Sequence, residues 1–263
     1  MKNRQGALGA FLLSLALPAA AVAQSSQEIA PAEKYHVRAE WRWWTPSVSG
    51  TIQKGFGPIP GTPLSLTDNL GITNQSTWML EGAIRLSRSF KLTGGYIPLN
   101  YTGQQAASTN FIYGNELFFK DEEIQTSLKA QVFSGAIEWD FYKGKGGYAG
   151  VFFGADLLLT DSVLVAPATG QRVIDSETLP VPLLGVVGRA YVGRHFSLSA
   201  LVGGFTRGDQ GHMFEMDLTA RLHISDRFAG AVGYYRLSFE GTDGRDFVSL
   251  TLGGLSFGAE VSF

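Results

Sequence analysis

The sequence predicts an all-β fold, a transmembrane antiparallel up-and-down β-barrel of about ten strands. Three observations carry that reading: repeated runs in which apolar and polar side chains alternate, connections whose lengths sort by strand parity, and a closing strand that ends on an aromatic residue. Counting back from Phe263, the residues Val261, Ala259, Phe257 and Leu255 share one face, and Ser262, Glu260, Gly258 and Ser256 share the other. Successive side chains of a strand point to opposite sides, so one face of this run suits lipid and the other an enclosed polar interior.

The amino terminus states the route to a membrane. Lys2 and Arg4 precede an apolar run over residues 7–17, and Pro18 and Ala21-Val22-Ala23 supply a small-residue cleavage site. This pattern is an export signal over residues 1–23, cut near Ala23, and its apolar run is shorter than the roughly 20 residues a membrane-spanning helix needs. Residues 24–34 then read as a short periplasmic segment, and residues 35–263 as an outer-membrane barrel. The absence of cysteine excludes disulfides, thiolate metal sites and a lipoprotein anchor. A formal charge of -2 argues against a nucleic-acid partner. Glycine is frequent, at 33 residues, and glycines within strands suit a wall that must bend and close.

The strands follow in order. Over 35–43, Tyr35, Val37, Ala39, Trp41 and Trp43 alternate with His36, Arg38, Glu40 and Arg42. Trp78, Leu80, Gly82, Ile84 and Leu86 alternate with Met79, Glu81, Ala83 and Arg85; a tight turn at Arg88-Ser89 leads to Phe90, Leu92, Gly94 and Tyr96 against Lys91 and Thr93. The runs 128–141 and 148–160 put Phe133, Ile137, Trp139, Phe141, Val151, Phe153 and Leu157 outward, against Glu138, Asp140 and Asp156. The runs 180–192 and 196–206 join at Gly193-Arg194-His195. Over 213–224 the alternation has no exception, with Phe214, Met216, Leu218, Ala220, Leu222 and Ile224 opposite Met213, Glu215, Asp217, Thr219, Arg221 and His223. Ser225-Asp226-Arg227 and Gly241-Thr-Asp-Gly244 turn the chain through 228–239 into the final strand.

Connections near 88, 144, 194 and 226 are short, whereas those over 50–75, 103–123 and 161–178 read as long loops. Bacterial barrels show this sorting, with short periplasmic turns and longer outer loops. Outward aromatics fall at both strand ends: Tyr35, Phe90, Phe141, Phe196 and Phe263 at the periplasmic end, and Trp43, Trp78, Phe214, Phe239 and Phe247 at the outer end. They form the two interface belts of a membrane barrel.

Carried by the Ala21-Val22-Ala23 site, the alternating strands across 35–263 and the closing Phe257-Gly-Ala-Glu-Val-Ser-Phe263, the chain resembles the small outer-membrane β-barrel proteins of Gram-negative bacteria, the broad group of OmpA-like and OmpW-like barrels. The resemblance implies outer-membrane lipid and lipopolysaccharide as surroundings, a monomer, and recognition of the strand ending at Phe263 by the barrel-assembly machinery. It implies no single activity, because such barrels include channels, anchors, adhesins and enzymes.

Parity places Arg38, Glu40, Arg42, Glu81, Arg85, Lys91, Glu138, Asp140, Asp156, Arg189, Glu215, Asp217, Arg221, Arg236 and Glu260 in the lumen. A ten-stranded lumen is narrow, and a near-matched charge set fits either structural packing or a small polar pore whose lining sets selectivity. The expected function is therefore structural or a narrow porin-like passive channel for small polar solutes, with no cofactor and no metal. The alternatives are a hydrolase, of the lipid A deacylase or omptin protease type, and a surface adhesion barrel. Glu138-Trp139-Asp140 and Glu215-Met216-Asp217 only approximate a carboxylate pair, and no Asp-x-His occurs. His195-Phe196-Ser197 resembles a deacylase His-x-Ser pair, but parity puts it at a periplasmic turn. His36 and His223 read as lumen members. Among the loops, Gly55 to Pro63 folds toward the mouth, Phe111-Ile-Tyr113 and Leu117-Phe-Phe119 flank a Gly114-Asn115 hairpin turn, and Asp121-Glu122-Glu123 reads as a solvated face or a cation bridge to lipopolysaccharide.

Overall fold

The computed structural model describes residues 30–263; the signal peptide expected at 1–23 lies outside the described residues. The strands are β1 (Val37–Gln53), β2 (Leu64–Ser65), β3 (Thr77–Arg85), β4 (Phe90–Ala106), β5 (Phe111–Tyr113), β6 (Glu116–Phe118), β7 (Glu123–Gly144), β8 (Gly147–Ala166), β9 (Gln171–Val192), β10 (Phe196–Thr206), β11 (Gly211–His223), β12 (Phe228–Asp243) and β13 (Asp246–Ser262). Ten of them, β1, β3, β4 and β7 to β13, form the wall, each antiparallel to the next. Pairing of β13 with β1, from Arg38↔Ser262 to Gln53↔Phe247, closes the barrel and leaves no free sheet edge.

Alternation sets the two surfaces. On β1, Glu40, Arg42, Trp44 and Val48 are buried inside while Val37 and Trp41 are exposed outside. The same split recurs around the wall, leaving Leu80, Ile84, Phe133, Ile137, Phe153, Leu184, Leu198, Leu218, Val232, Leu255 and Phe257 on the outer surface. A continuous apolar exterior of this extent is unstable in water and matches a hydrocarbon layer. Register explains one aromatic cluster on it: Trp43 stands opposite Trp78, Leu80 opposite Tyr96, and Tyr96 opposite Phe133. The Trp78 and Tyr96 rings are 5.4 Å apart, and the Tyr96 and Phe133 rings 4.7 Å. Phe90, Phe141, Phe196, Phe214 and Phe263 are exposed on the same surface.

Parity fails at four of the expected positions. Arg236 points outward, because β12 turns Ala229, Ala231, Tyr235 and Leu237 inward; its stem lies by Gly253 on the outer wall. Phe239 shares parity with Leu237 and packs inward against the interior core. Tyr35 lies before the first strand, where alternation no longer applies, and is buried inside. His36, expected inside, is exposed.

The connection expected over 161–178 is two strands. β8 and β9 stay paired as far as Ala166↔Gln171, leaving only residues 167–170 between them. β7 and β9 each have 22 residues, about twice the 9 to 11 that cross a membrane, so they extend well beyond it. The outward faces of β7, β8 and β9 there carry Lys129, Asp161, Arg172 and Ser176, because they face water rather than lipid. The inward faces carry Ile124, Leu164 and Val173, which are buried.

Those inward faces cover an apolar plug. The loop after β1 brings in Leu64, Leu66, Leu70 and Ile72, and the β5–β6 hairpin brings in Phe111, Tyr113 and Phe118; all pack with Trp44, Val48, Ile97, Leu99 and Tyr101 of the wall. The Phe111 and Phe118 rings stack at 4.9 Å. The loop lies so close on β4 that a Cβ at Gly103 falls 2.2 Å from the Leu70 carbonyl oxygen. Gly71 next to it has φ 64, a left-handed conformation that suits glycine. Glu122 is no solvated charge: it accepts from the Phe119 amide at 3.0 Å and from the Thr169 hydroxyl, tying two loops together.

Candidate functional site: the barrel lumen

At the end with the short turns, residues 30–35 fold into the mouth instead of trailing from it. A 3-10 turn, Pro31–Glu33, buries Ala32 and Glu33. Glu33 accepts from Arg85 at 2.9 Å, Tyr191 at 2.8 Å and Arg38 at 3.5 Å, and Arg189 stands 3.8 Å away. Burial pushes the Glu33 carboxyl up, but Arg38 and Arg189 outweigh it and hold the group below the usual carboxylate range. The Tyr35 ring lies between two guanidinium groups, with Arg38 and Arg85 each 4.7 Å from its centroid.

Above this turn lies a layer of ion pairs. Arg189 forks onto both oxygens of Glu260, at 3.1 and 2.7 Å, and Arg221 reaches Glu260 at 3.0 Å and Glu40 at 2.9 Å. Lys91, wholly buried, holds Glu138 at 2.6 Å and Asp140 at 3.1 Å, and its ammonium sits 3.4 Å from the Tyr148 ring centroid. Arg42 donates to Glu81, Asp217 and Thr219 and pairs with Glu40 at 3.1 Å. Charges buried this deeply are tolerated because each has partners within hydrogen-bond reach.

Asp156 and Glu215 sit beside a cavity of about 160 Å³ between the ionic layer and the apolar plug. Tyr235 donates to Glu215 at 2.9 Å and meets Trp44 edge-on at 5.1 Å between ring centroids. The structure thus brings together the expected lumen residues, except Arg236 and His36, in one interior. Sequence reading missed Glu33, which precedes the alternating run, and set Tyr35 outward as the first residue of that run, whereas the strand starts only at Val37.

It also missed one close pair. Ser197 Oγ and His223 Nε2 are 2.8 Å apart and both buried. Their residues lie on neighbouring strands with the same inward parity, a signal present in the sequence once β10 and β11 are paired. His195 instead faces the His223 carbonyl oxygen at 3.3 Å. No carboxylate hydrogen-bonds to His223 among the described residues, so the pair lacks the third group that orients a catalytic imidazole. The two acid pairs also lack a histidine: Glu138 and Asp140 are held by Lys91, Asp217 by Arg42, and Glu215 by Tyr235.

No family model and no curated protein matches this chain. Among solved structures, the outer membrane protease OmpT from Escherichia coli superposes with a TM-score of 0.61 at 10% identity, covering 92% of this chain and all of that one. The attachment invasion locus protein Ail of Yersinia pestis, in complex with a heparin analogue, gives 0.39 at 10% identity over 86% of this chain and 99% of that one. OprG of Pseudomonas aeruginosa gives 0.37 at 8% identity over 86% and 94%. With its closed ten-stranded wall, apolar exterior and charged interior, the chain has the fold of the small outer-membrane β-barrels of Gram-negative bacteria.

Proposed function

We propose that this protein is a structural barrel of the outer membrane, closed to solutes, rather than an open passive channel. One observation carries the reading: the lumen is occluded twice in series. At the loop end, Leu66, Leu70 and Phe118 fill the mouth; at the other, Glu33 and Tyr35 are locked into the arginine cluster. An apolar constriction excludes ions by dewetting, and a paired ionic layer leaves few waters to conduct through it. The exported, lipid-facing wall supports anchorage in outer-membrane lipid and lipopolysaccharide, and the strand ending at Phe263 supports assembly by the barrel-assembly machinery. Planar-bilayer recording of purified, refolded protein tests the proposal. Silence across salt and voltage is expected, and discrete conductance steps from the wild type overturn it.

A further inference from the structure

Asp156 has no cation paired with it among the described residues, and the Ser134 side chain is its nearby polar group. It is 1% exposed, and neither carboxylate oxygen has a hydrogen-bond partner among the described residues. Its neighbour across the cavity, Glu215, has the Tyr235 hydroxyl and no cation. Nearby, Glu81 and Asp217 already share the single guanidinium of Arg42. Arg38, Arg189 and Arg221 also line the adjoining space of about 160 Å³, but they pair with Glu33, Glu40 and Glu260, so Asp156 and Glu215 are the acids there that no base reaches among the described residues. An ionised carboxylate buried without a partner is costly, so such a group either takes up a proton or binds a cation.

The surroundings select the kind of cation. Among the described residues, no three histidine or acidic side chains converge, so a calcium-type cage of many protein oxygens is not formed there. The volume corresponds to about five waters at about 30 Å³ each, far more than one bare ion needs. Apolar side chains, Phe152, Leu183, Val187 and Leu201 among them, line part of the remaining wall. The Phe152 ring is laid over the glycines of β9 and β10, where a Cβ at Gly185 or Gly203 falls 2.5 Å from it. Carboxylates on one side and an aromatic ring with aliphatic neighbours on another are the elements that recognise an alkylammonium ion.

We propose that the mid-lumen cavity binds a small alkylammonium ion, held through its charge by Asp156 and Glu215 and along its carbon chain by Phe152 and its neighbours. This inference does not rest on whether the barrel conducts, because a ligand can be enclosed as the barrel folds.

The test refolds the full mature chain into detergent micelles with 1,4-diaminobutane, removes free diamine by dialysis and measures retained diamine and the melting temperature. Matched samples with magnesium chloride or sodium chloride control for ionic strength. Saturable retention near one diamine per barrel, a raised melting temperature and at least tenfold weaker retention by Asp156→Asn support the site. Should Asp156→Asn fail to refold, Glu215→Gln supplies the same comparison, and Glu123→Gln on the outer surface serves as the unaffected control. Absence of saturable retention by wild type overturns the proposal. Equal retention by the Asp156 or Glu215 variant overturns it too, as does full displacement by magnesium at equal charge.

Discussion

Arg42 carries more of the interior than any other side chain near the cavity, because three carboxylates and two hydroxyls converge on one guanidinium. Replacing it by methionine keeps much of the volume but strands Glu40, Glu81 and Asp217. Removing one partner of a buried ion pair costs about 3–5 kcal/mol, so Arg42→Met is expected to lower the urea midpoint of the refolded barrel sharply. Arg236→Met, on the outer wall, is expected to change it by less than about 0.5 kcal/mol. Equal shifts for the two refute the assignment of their faces. A second residue-level prediction concerns shape. A methyl group at Gly203 meets the Phe152 ring at 2.5 Å, while its next contact is at 3.3 Å on the same ring and the nearest backbone atom is at 3.5 Å. Gly203→Ala is therefore expected to cost about 1–3 kcal/mol by overpacking, and Phe152→Leu in the same chain to recover most of it. Additive losses in a double-mutant cycle exclude the clash as the cause.

The 3-10 turn at Pro31–Glu33 is an element whose hold depends on one ionised carboxylate. Because the folded-state pKa of Glu33 is depressed, the stabilisation is present above its ordinary value of 4.5 and is lost as pH falls through the lower folded value. The turn is expected to leave the mouth only as pH falls from 4.5 through the lower folded value. A spin label at Lys34, which is exposed, reports this as a gain in mobility. In Glu33→Gln the mobility is expected to be high already at pH 7 and flat with acid; an unchanged acid transition in that variant refutes the mechanism. How much of this was legible beforehand differs by element. Strands within the bilayer were readable because lipid on one side and charge on the other force alternation at residues such as Leu218 and Asp217. Where water bathes the outer face, as at Asp161 and Ser176, the apolar half of the signal vanishes and β8 and β9 looked like a loop. Glu33 and Tyr35 carry no signal of their own, since their placement depends on arginines that only the closed barrel assembles around them. Arg236 was misplaced because the rule that apolar side chains face lipid turns Tyr235, Leu237 and Phe239 outward, whereas these three pack inward with the interior core and leave Arg236 outside.

At the scale of the molecule, the proposed closure amounts to two stoppers around one chamber, and stoppers in series fail only together. The loop-end stopper is held by burial of Leu66 and Leu70, both almost wholly enclosed, so a carboxylate there forces the loop out of the mouth. The opposite stopper is the segment carrying Glu33 and Tyr35, and deleting residues 24–35 removes it without touching a wall strand. Either change alone leaves the other constriction in place, so Leu66→Glu and the deletion are each expected to stay silent in planar bilayers. Combined, they join the chamber to both solutions, and discrete steps are expected, small because a ten-stranded wall encloses little more than its own side chains. Heat-modifiable migration on gels confirms that each variant still forms a barrel before recording. Conductance from the deletion alone places the barrier solely at the turn end, and silence from a folded double variant places it in the ionic layer of Arg42, Arg189 and Arg221 itself. In either case the apolar plug is a structural cap of the loops and not a barrier in its own right.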